Sequence, residues 1–259
     1  MSKVRVDELL VARGLAPSRS QAQRLVMAGQ VRADGQIVPK PSSELDESSQ
    51  LTVTQRPRFV SRGGEKLVHA LESLPIQAEG KICADVGAST GGFTDCLLQY
   101  GAAKVYAIDV GRGQLEWSLR QDERVVVMER QNARHVEALP EPIDLVTIDA
   151  SFISLKLLLP VVKNWLAPGG QVIALVKPQF EAGRAEADRG RGVITDPAVH
   201  QRVLSEVLPF ADAQGFIVRG LLRSPIMGPK GNVEFLLWMD LGEEASPDIT
   251  GLIDAVLDE

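Results

Sequence analysis

The feature that most constrains the fold is a regular alternation of apolar, strand-like runs with helical patterns from residue 82 onward. Helical patterns such as Gly92–Tyr100 and Ile153–Trp165 separate the runs. Strands that alternate with helices indicate a mostly parallel sheet with helices on both faces. The first five runs are Ile82–Val86, Lys104–Ile108, Val125–Met128, Ile143–Ile148 and Gln171–Val176.

The end of the pattern differs from the rest. A long predicted helix, Asp196–Gln214, precedes two last strands, Phe216–Leu222 and Val233–Met239. A short loop rich in Pro and Gly joins these two strands, so we expect them to pair antiparallel. The sequence therefore predicts an α/β fold with a seven-stranded, mostly parallel sheet whose last strand is antiparallel.

Composition excludes several classes of protein. With 44% hydrophobic and 24% charged residues, the chain is neither collagen-like, disordered nor stabilised mainly by disulfides. Its 259 residues favour one large domain, or one of ordinary size with a small one. The longest apolar runs are far shorter than a membrane span, and the first residues lack the apolar core of a secretion signal. We therefore expect a cytoplasmic protein that does not bind a membrane. No His/Cys/Asp cluster has the spacing of a metal site, so we expect no bound metal.

Charge divides the chain into two parts. Residues 1–62 carry ten Lys or Arg and six Asp or Glu, a balance of +4. The remainder holds 18 of the chain's 28 basic residues and 28 of its 34 acidic residues, a balance of −10. A basic N-terminal part on an acidic body suggests that this part meets a polyanion.

The N-terminal part is predicted to be a small α+β domain. Apolar positions favour a helix over Arg5–Arg13 and a second helix that Ser18 or Ser20 caps and Gly29 ends. The sequence predicts a hairpin with an Asp-Gly turn over Val31–Val38 and a closing strand over Leu51–Val53. We expect domains at 1–57 and 65–245, a linker at 58–64, and a tail or helix at 246–259.

A glycine-rich turn follows the first strand of the alternating region, at residues 85–94. Such a turn lets the backbone approach a ligand at the carboxyl edge of the sheet. About twenty residues later the second strand ends in Asp109, where a carboxylate can accept hydrogen bonds from ribose hydroxyls. Asn132 follows the third strand and could meet an adenine edge. Together these positions indicate a nucleoside-containing cofactor.

Charged residues end two neighbouring strands. Asp149 follows the fourth apolar run and Lys177 the fifth, beside the proposed cofactor crevice. Lys66, on a helix predicted over Gly64–Leu74, and Glu234, on the last strand, complete a Lys-Asp-Lys-Glu set.

A second motif competes for the same loop. Residues 87–91 match the G-x-S-x-G turn of serine hydrolases, and Ser89, Asp149 and His200 occur in triad order. However, this turn would follow the first strand of the α/β region, with no sheet before that strand, and no H-G-G-type oxyanion loop precedes Ser89. We therefore do not expect a hydrolase.

The N-terminal part closely resembles the small RNA-binding domain named after the fourth small-subunit ribosomal protein. The resemblance covers about fifty residues and includes the order Leu, Gly, Ser-Arg, Gly-x-Val and Lys-Pro. It implies that Arg5, Arg19, Arg24 and Lys40 face RNA phosphates. Arg58 and Arg62, which follow this domain, are further candidates for RNA contact.

The whole chain resembles the TlyA family of ribosomal RNA 2′-O-methyltransferases, some of which are called hemolysins. The resemblance rests on S-R-G-G-E-K-L (61–67), D-V-G-A-S-T-G-G-F-T-D (85–95), I-D-A-S-F-I-S-L (148–155), L-V-K-P-Q-F-E (175–181) and G-N-V-E-F (231–235). It implies a Rossmann-like methyltransferase domain, S-adenosylmethionine as cofactor, and a cytidine ribose in ribosomal RNA or a ribosomal subunit as substrate.

The resemblance also assigns residues to roles. The catalytic tetrad of the related FtsJ-type ribose methyltransferases carries over to Lys66, Asp149, Lys177 and Glu234. The implied cofactor site comprises Asp85, Gly87, Ser89, Gly91, Gly92, Phe93, Asp109 and Asn132.

The tetrad suits the chemistry of ribose methylation. A ribose hydroxyl is a weak nucleophile until its proton is being removed, and a lysine can remove it only when its pKa is lowered. A second lysine nearby lowers that pKa whereas two carboxylates raise it, so sequence leaves open whether Lys177 is a base or an orienting group. Two other functions stay open: an RNA- or ribosome-binding protein with a non-catalytic methyltransferase domain, and a hemolysin.

Overall fold

The computed structural model describes residues 3–54, 57–183, 186, 191–242, 244 and 246–258. The chain forms two compact units, Met1–Pro57 and Arg58–Glu259. No helix within the described residues is both long and apolar enough to cross a bilayer.

The first unit is a small α+β domain built around two helices. Its elements are β1 (Lys3–Arg5), α1 (Val6–Ala12), α2 (Arg19–Met27), β2 (Val31–Ala33), β3 (Gln36–Ile37), β4 (Glu44–Asp46) and β5 (Leu51–Val53). The Ser18 side chain caps α2 by accepting a hydrogen bond from Gln21 N. The predicted hairpin and closing strand form the sheet β3-β2-β5, whereas the pair β1-β4 was not predicted.

The second unit contains the predicted seven-stranded sheet. Its strands are β6 (Ile82–Val86), β7 (Lys104–Asp109), β8 (Val125–Glu129), β9 (Ile143–Ile148), β10 (Leu166–Val176), β11 (Phe216–Arg223) and β12 (Phe235–Leu241). Their order is β11-β12-β10-β9-β6-β7-β8. Only β12 runs antiparallel to its two neighbours, which confirms the predicted topology.

Helices cover both faces of this sheet. They are α3 (Gly63–Ser73), α4 (Gly92–Gln99), α5 (Trp117–Arg120), α6 (Leu155–Val162), α7 (Pro178–Glu181), α8 (Pro197–Ala213) and α9 (Ile249–Leu257). Neighbouring strand residues pack into different cores: Cys83 and Leu145 belong to one apolar cluster, and Ala84 and Val146 to another. Burial on both faces explains why these strands read as continuous apolar runs.

The predicted first residues of two strands were wrong. Strand β10 begins at Leu166 rather than Gln171, with an irregular register between these residues. The prediction missed this start because Gly169 and Gly170 interrupt the apolar pattern of the sequence. Strand β12 begins at Phe235, so Glu234 precedes the strand instead of lying on it. The Glu234 side chain thereby sits at the edge of the sheet where the catalytic candidates meet.

Candidate active site

The predicted site residues gather where the strand order reverses. The chain places β6, β7 and β8 on one side and then returns to place β9 and β10 on the other, so the reversal lies between β6 and β9. Ligands of α/β sheets bind at such a point, beyond the carboxyl ends of the strands. Gly87 follows β6 with φ +85°, and a Cβ there would come within 2.8 Å of the Asp149 carbonyl oxygen. The glycine therefore lets the loop after β6 pack directly on the end of β9.

The four tetrad residues lie together around one cavity of about 670 Å³. Lys66 Nζ lies 2.5 Å from Glu234 Oε2 and 4.0 Å from Asp149 Oδ2. Lys177 Nζ lies 2.5 Å from Asp149 Oδ1. Asp149 therefore stands between two ammonium groups that come from distant parts of the chain.

Lys177 is held more completely than Lys66. Besides Asp149 Oδ1, its ammonium group faces three other oxygens: Ala150 O at 3.0 Å, Asp149 O at 3.3 Å and Ser151 Oγ at 3.3 Å. An ammonium group has three N–H donors, so four acceptors fix the position of its nitrogen closely. This arrangement can orient a hydroxyl group, and it also offers Lys177 a carboxylate to which a proton can move.

The tetrad is almost enclosed. Lys66, Lys177 and Glu234 are 7%, 5% and 1% exposed, and only Asp149 is partly open to the cavity. Buried charges are tolerated when they are paired, and the two lysines and two carboxylates balance each other. The removal of one member would leave an unpaired buried charge.

A second cavity, of about 620 Å³, adjoins the first and contains Asp109 and Asn132. Asp109 Oδ2 accepts a hydrogen bond from Ser89 N at 2.8 Å, and Oδ1 accepts one from Gly111 N at 2.6 Å. A carboxylate has about four lone-pair sites, so capacity remains for ribose hydroxyls. Asn132 Oδ1 accepts from Arg134 N, which leaves the amide nitrogen as the group that could meet an adenine edge.

The other predicted cofactor residues occupy different depths. Gly87 and Ser89 line both cavities, and Gly92 and Phe93 line the tetrad cavity. Gly91 adopts φ +97° at the start of α4. Asp85 is fully buried below the loop, where Thr94 Oγ1 donates to it at 2.7 Å and burial raises the pKa of its carboxyl to about 7. Its observed contacts are with the protein, and a direct contact with the cofactor stays a prediction.

An aromatic pair that sequence reasoning missed borders the tetrad. The ring centroids of Phe152 and Phe180 lie 4.9 Å apart, and Phe152 is 89% exposed. Both rings line a cavity of about 570 Å³ together with Lys177 and Glu234. A large aromatic residue three positions after a strand-end acid, as in Asp149-Ala-Ser-Phe152, was the available signal. An exposed ring beside a reactive site is suited to stack on a flat group.

The predicted RNA-binding residues of the second unit are less uniform. Arg58 donates to Tyr100 Oη at 2.9 Å and lies 3.4 Å from Glu72, so its guanidinium group already has partners on the domain. Arg62 lines the tetrad cavity and donates to Met227 O at 3.0 Å. Of the two, Arg62 is the better placed to meet a substrate at the tetrad.

In the first unit, Arg5 and Arg19 share a buried carboxylate. Asp7 is fully buried, and the hydrogen bond from Arg5 is the main reason why the pKa of its carboxyl lies well below the ordinary value. Arg19 Nε lies 3.1 Å from the same carboxylate and its NH2 group 3.2 Å from Glu8. Arg24 and Lys40 are exposed. All four stay predicted RNA contacts, and Glu8 competes with a phosphate for Arg19.

The hydrolase alternative gains no support from the geometry. His200 is buried, lies 3.1 Å from Ile194 O and packs edge-on against the ring of Phe235. Asp149 contacts the two lysines, and Ser89 Oγ contacts Gln114. The described contacts therefore place these three residues in separate environments.

Comparison with known families fits both units. The model of the FtsJ-like methyltransferase family matches residues 59–241, and that of the S4 domain matches residues 4–51. The 16S/23S rRNA (cytidine-2′-O)-methyltransferase TlyA of Mycobacterium tuberculosis is 47% identical over 258 residues, which cover 98% of this chain and 96% of the relative. The chain belongs to the TlyA family.

Two further relatives carry a different name. Hemolysin A of Brachyspira hyodysenteriae is 41% identical over 236 residues, which cover 90% of this chain and 98% of the relative. The solved structure of a hemolysin-named protein of Streptococcus thermophilus matches with a TM-score of 0.76 and 45% identity, covering 100% of this chain and 95% of that one. The family membership confirms the methyltransferase fold, with an S4 domain before it, that the sequence predicted.

Proposed function

We propose that the protein transfers a methyl group from S-adenosylmethionine to the 2′-hydroxyl of a cytidine ribose in ribosomal RNA. The observation that carries this proposal is the convergence of Lys66, Asp149, Lys177 and Glu234 on one cavity, adjacent to the cavity that holds Asp109. The activity named for the TlyA relative supports it.

The residues present fit this cofactor. A side chain at Gly87 would fill the space beside the end of β9, and the carboxylate of Asp109 retains capacity for two ribose hydroxyls. Asn132 would meet the adenine of the cofactor, while Ser89 and Gly92 would lie beside the part of the cofactor that extends towards the tetrad. When bound, S-adenosylmethionine supplies a methyl group on a sulfonium, which is already activated for transfer.

The tetrad residues then prepare the hydroxyl. Lys177 Nζ, fixed by its four oxygen partners, holds the hydroxyl oxygen in line for attack. A lysine accepts a proton only in its neutral form, and the 2.5 Å contact gives Lys177 a proton acceptor in Asp149. Lys66 and Glu234 keep the charge around Asp149 balanced. The hydroxyl proton would leave to this cluster as the ribose oxygen bonds to the methyl carbon and the bond between that carbon and the sulfonium sulfur breaks.

The RNA is held by two sets of groups. The S4 unit supplies Arg5, Arg19, Arg24 and Lys40 for phosphates, as its family implies. At the tetrad, Arg62 would neutralise a phosphate of the target nucleotide, and Phe152 would stack on its base after the nucleotide leaves the RNA helix. A substrate that is ribosomal RNA or a ribosomal subunit, and a cytoplasmic location, follow from this proposal.

Methylation of purified ribosomal subunits by the full-length protein tests the proposal. With methyl-labelled S-adenosylmethionine, we expect label at a cytidine whose 3′ phosphodiester resists alkali, since a methylated 2′-oxygen cannot attack it. Lys66→Ala should abolish the label because it unpairs the buried Glu234. Lys163→Ala is the matched control, since its Nζ contacts Gln214 O outside the tetrad.

Subunit binding and vesicle leakage, measured beside methylation, separate the alternatives. Binding of subunits without any transfer of label would indicate a ribosome-binding protein with a non-catalytic domain. Leakage of dye from lipid vesicles, in place of methylation, would indicate a hemolysin. Either result would overturn the proposed function.

A further inference from the structure

The aromatic pair beside the tetrad depends on a carboxylate that has no part in the proposed chemistry. Phe152 precedes α6 by three residues, and Phe180 is the penultimate residue of α7. Glu181, which follows Phe180, reaches across to the first turn of α6. Its Oε2 accepts from Ser154 Oγ at 2.5 Å and its Oε1 from Leu155 N at 2.7 Å.

These two hydrogen bonds join the segments that carry the two rings. Ser154 Oγ also accepts from Lys156 N at 3.1 Å, so one hydroxyl both caps α6 and donates to Glu181. The backbone N–H groups of a first helical turn have no partners within the helix, and a carboxylate there is favoured by the helix dipole. Glu181 is therefore a well-bound fixed point between α7 and the segment 152–154.

Phe152 needs such a fixed point. Its φ is +62°, a left-handed backbone conformation that an aromatic L-residue adopts only when its surroundings hold it there. Because its ring is 89% exposed, core packing does not supply this constraint. The contact with Phe180 and the anchored start of α6 are two constraints that adjoin it, and Glu181 contributes to both.

We propose that Glu181 is a positioning residue for the substrate: it holds Phe152 and Phe180 in the arrangement that receives the base of the target nucleotide. This inference rests on the proposed function for the identity of the substrate. The arrangement of the rings is a property of the protein alone, so it can be tested without any reaction.

The first measurement needs no activity. We use protein labelled with 4-fluorophenylalanine and assign the ¹⁹F signals of Phe152 and Phe180 by substituting each with Leu. In Glu181→Gln, an amide nitrogen replaces one of the carboxylate oxygens that accept from Ser154 Oγ and Leu155 N. Because this weakens the link between the two segments that carry the rings, the ¹⁹F signals of both rings should shift. The signals of Phe216 and Phe235, which are buried in the core, should stay in place. Unchanged signals of Phe152 and Phe180 would overturn the proposal, whatever the enzyme methylates.

The second measurement is a double-mutant cycle on methylation of ribosomal subunits. We expect Glu181→Gln to lower kcat/KM for the subunits by about tenfold, with affinity for S-adenosylmethionine changed less than about twofold. Combined with Phe152→Ala, it should add little further loss, because both changes remove the same stacking surface. A merely structural role would lower thermal stability and make the two losses multiply, which would overturn the proposal.

Glu206→Gln is the matched control. Glu206 also contacts the first turn of α6, through the side chain of Lys156 at 2.9 Å, but Ser154 Oγ and Leu155 N donate to Glu181 and not to Glu206. We expect its kcat/KM and ¹⁹F signals to equal those of the wild type. If no variant, the wild type included, methylates subunits, the proposed function fails while the ¹⁹F result still decides the role of Glu181.

Discussion

The removal of the Asp109 carboxylate is the most direct test of the cofactor site. In the structure this group already anchors two loops, because it accepts hydrogen bonds from Ser89 N and Gly111 N. Ser89 belongs to the loop after β6, and its φ of +49° is an uncommon backbone conformation that this hydrogen bond helps to hold. Asp109→Ala therefore removes the proposed acceptor for ribose and loosens the loop that lines both cavities.

The expected loss follows from these contacts. A hydrogen bond to a charged acceptor contributes about 1.5–3 kcal/mol, and a neutral one about 1 kcal/mol. We expect Asp109→Ala to weaken binding of S-adenosylmethionine by about 1–3 kcal/mol, which is roughly 5- to 150-fold. Asp109→Asn should recover little of this, because its amide nitrogen would face a backbone N–H donor at Ser89 or Gly111.

Calorimetric titration of the purified protein with S-adenosylmethionine measures this loss. Asp144→Ala is the matched control: Asp144 also accepts from a backbone N–H, Ile82 N at 2.9 Å, but at the opposite end of β9. The control should bind the cofactor as the wild type does. Unchanged affinity in a folded Asp109→Ala protein would refute the assignment of Asp109 to the ribose.

Three further predictions concern the tetrad, the S4 unit and the buried carboxyl. Lys177→Ala should lower the single-turnover methylation rate by at least ~10²-fold, while the affinities for cofactor and for RNA change less than about tenfold. An active Lys177→Arg enzyme would refute a role of Lys177 as base, because a guanidinium group keeps its proton. Arg19→Ala should reduce the salt dependence of RNA binding by about one unit of slope. Glu8→Gln, which removes one of the two carboxylates that pair with Arg19, should strengthen binding in the same assay. Equal effects of the two substitutions would contradict a phosphate contact. Because the pKa of Asp85 is raised to about 7, the free energy of unfolding should fall as the pH rises from about 4 to about 7, and urea titrations of Asp85→Asn should show a flatter pH dependence. An unchanged slope in that variant would mean that another group causes it.

Patterns of residues near in sequence predicted most of the fold. All seven strands were found, since strands buried on both faces are continuous apolar runs between helical patterns. Asp109 and Asp149 were found because a charge that ends an apolar strand is visible in the sequence. The boundary of β10 was missed because two glycines interrupt the apolar run, and Glu234 was assigned to a strand that begins one residue later.

The rest of the site depends on contacts that no local pattern shows. The pairing of Lys66 with Glu234 joins residues 168 positions apart, and only the family resemblance suggested it. The partners of Arg58 and the anchoring role of Glu181 follow from side-chain geometry across separate elements. Phe152 was visible as an aromatic residue, but the sequence reveals neither its exposure nor its positive φ.

The end of β9 connects the two halves of the site. The Asp149 carbonyl oxygen faces Gly87 in the loop after β6 and also accepts from Lys177, while the Asp149 carboxylate contacts both lysines. A shift of this one peptide would therefore move the loop after β6 and the nitrogen of Lys177 together. Methyl transfer needs the hydroxyl oxygen, the methyl carbon and the sulfur in line, and a misplacement of about 1 Å can cost about 10²-fold in rate. A single strand end shared by both groups keeps their separation constant, which is the physical reason to expect the chemistry where β6 and β9 meet.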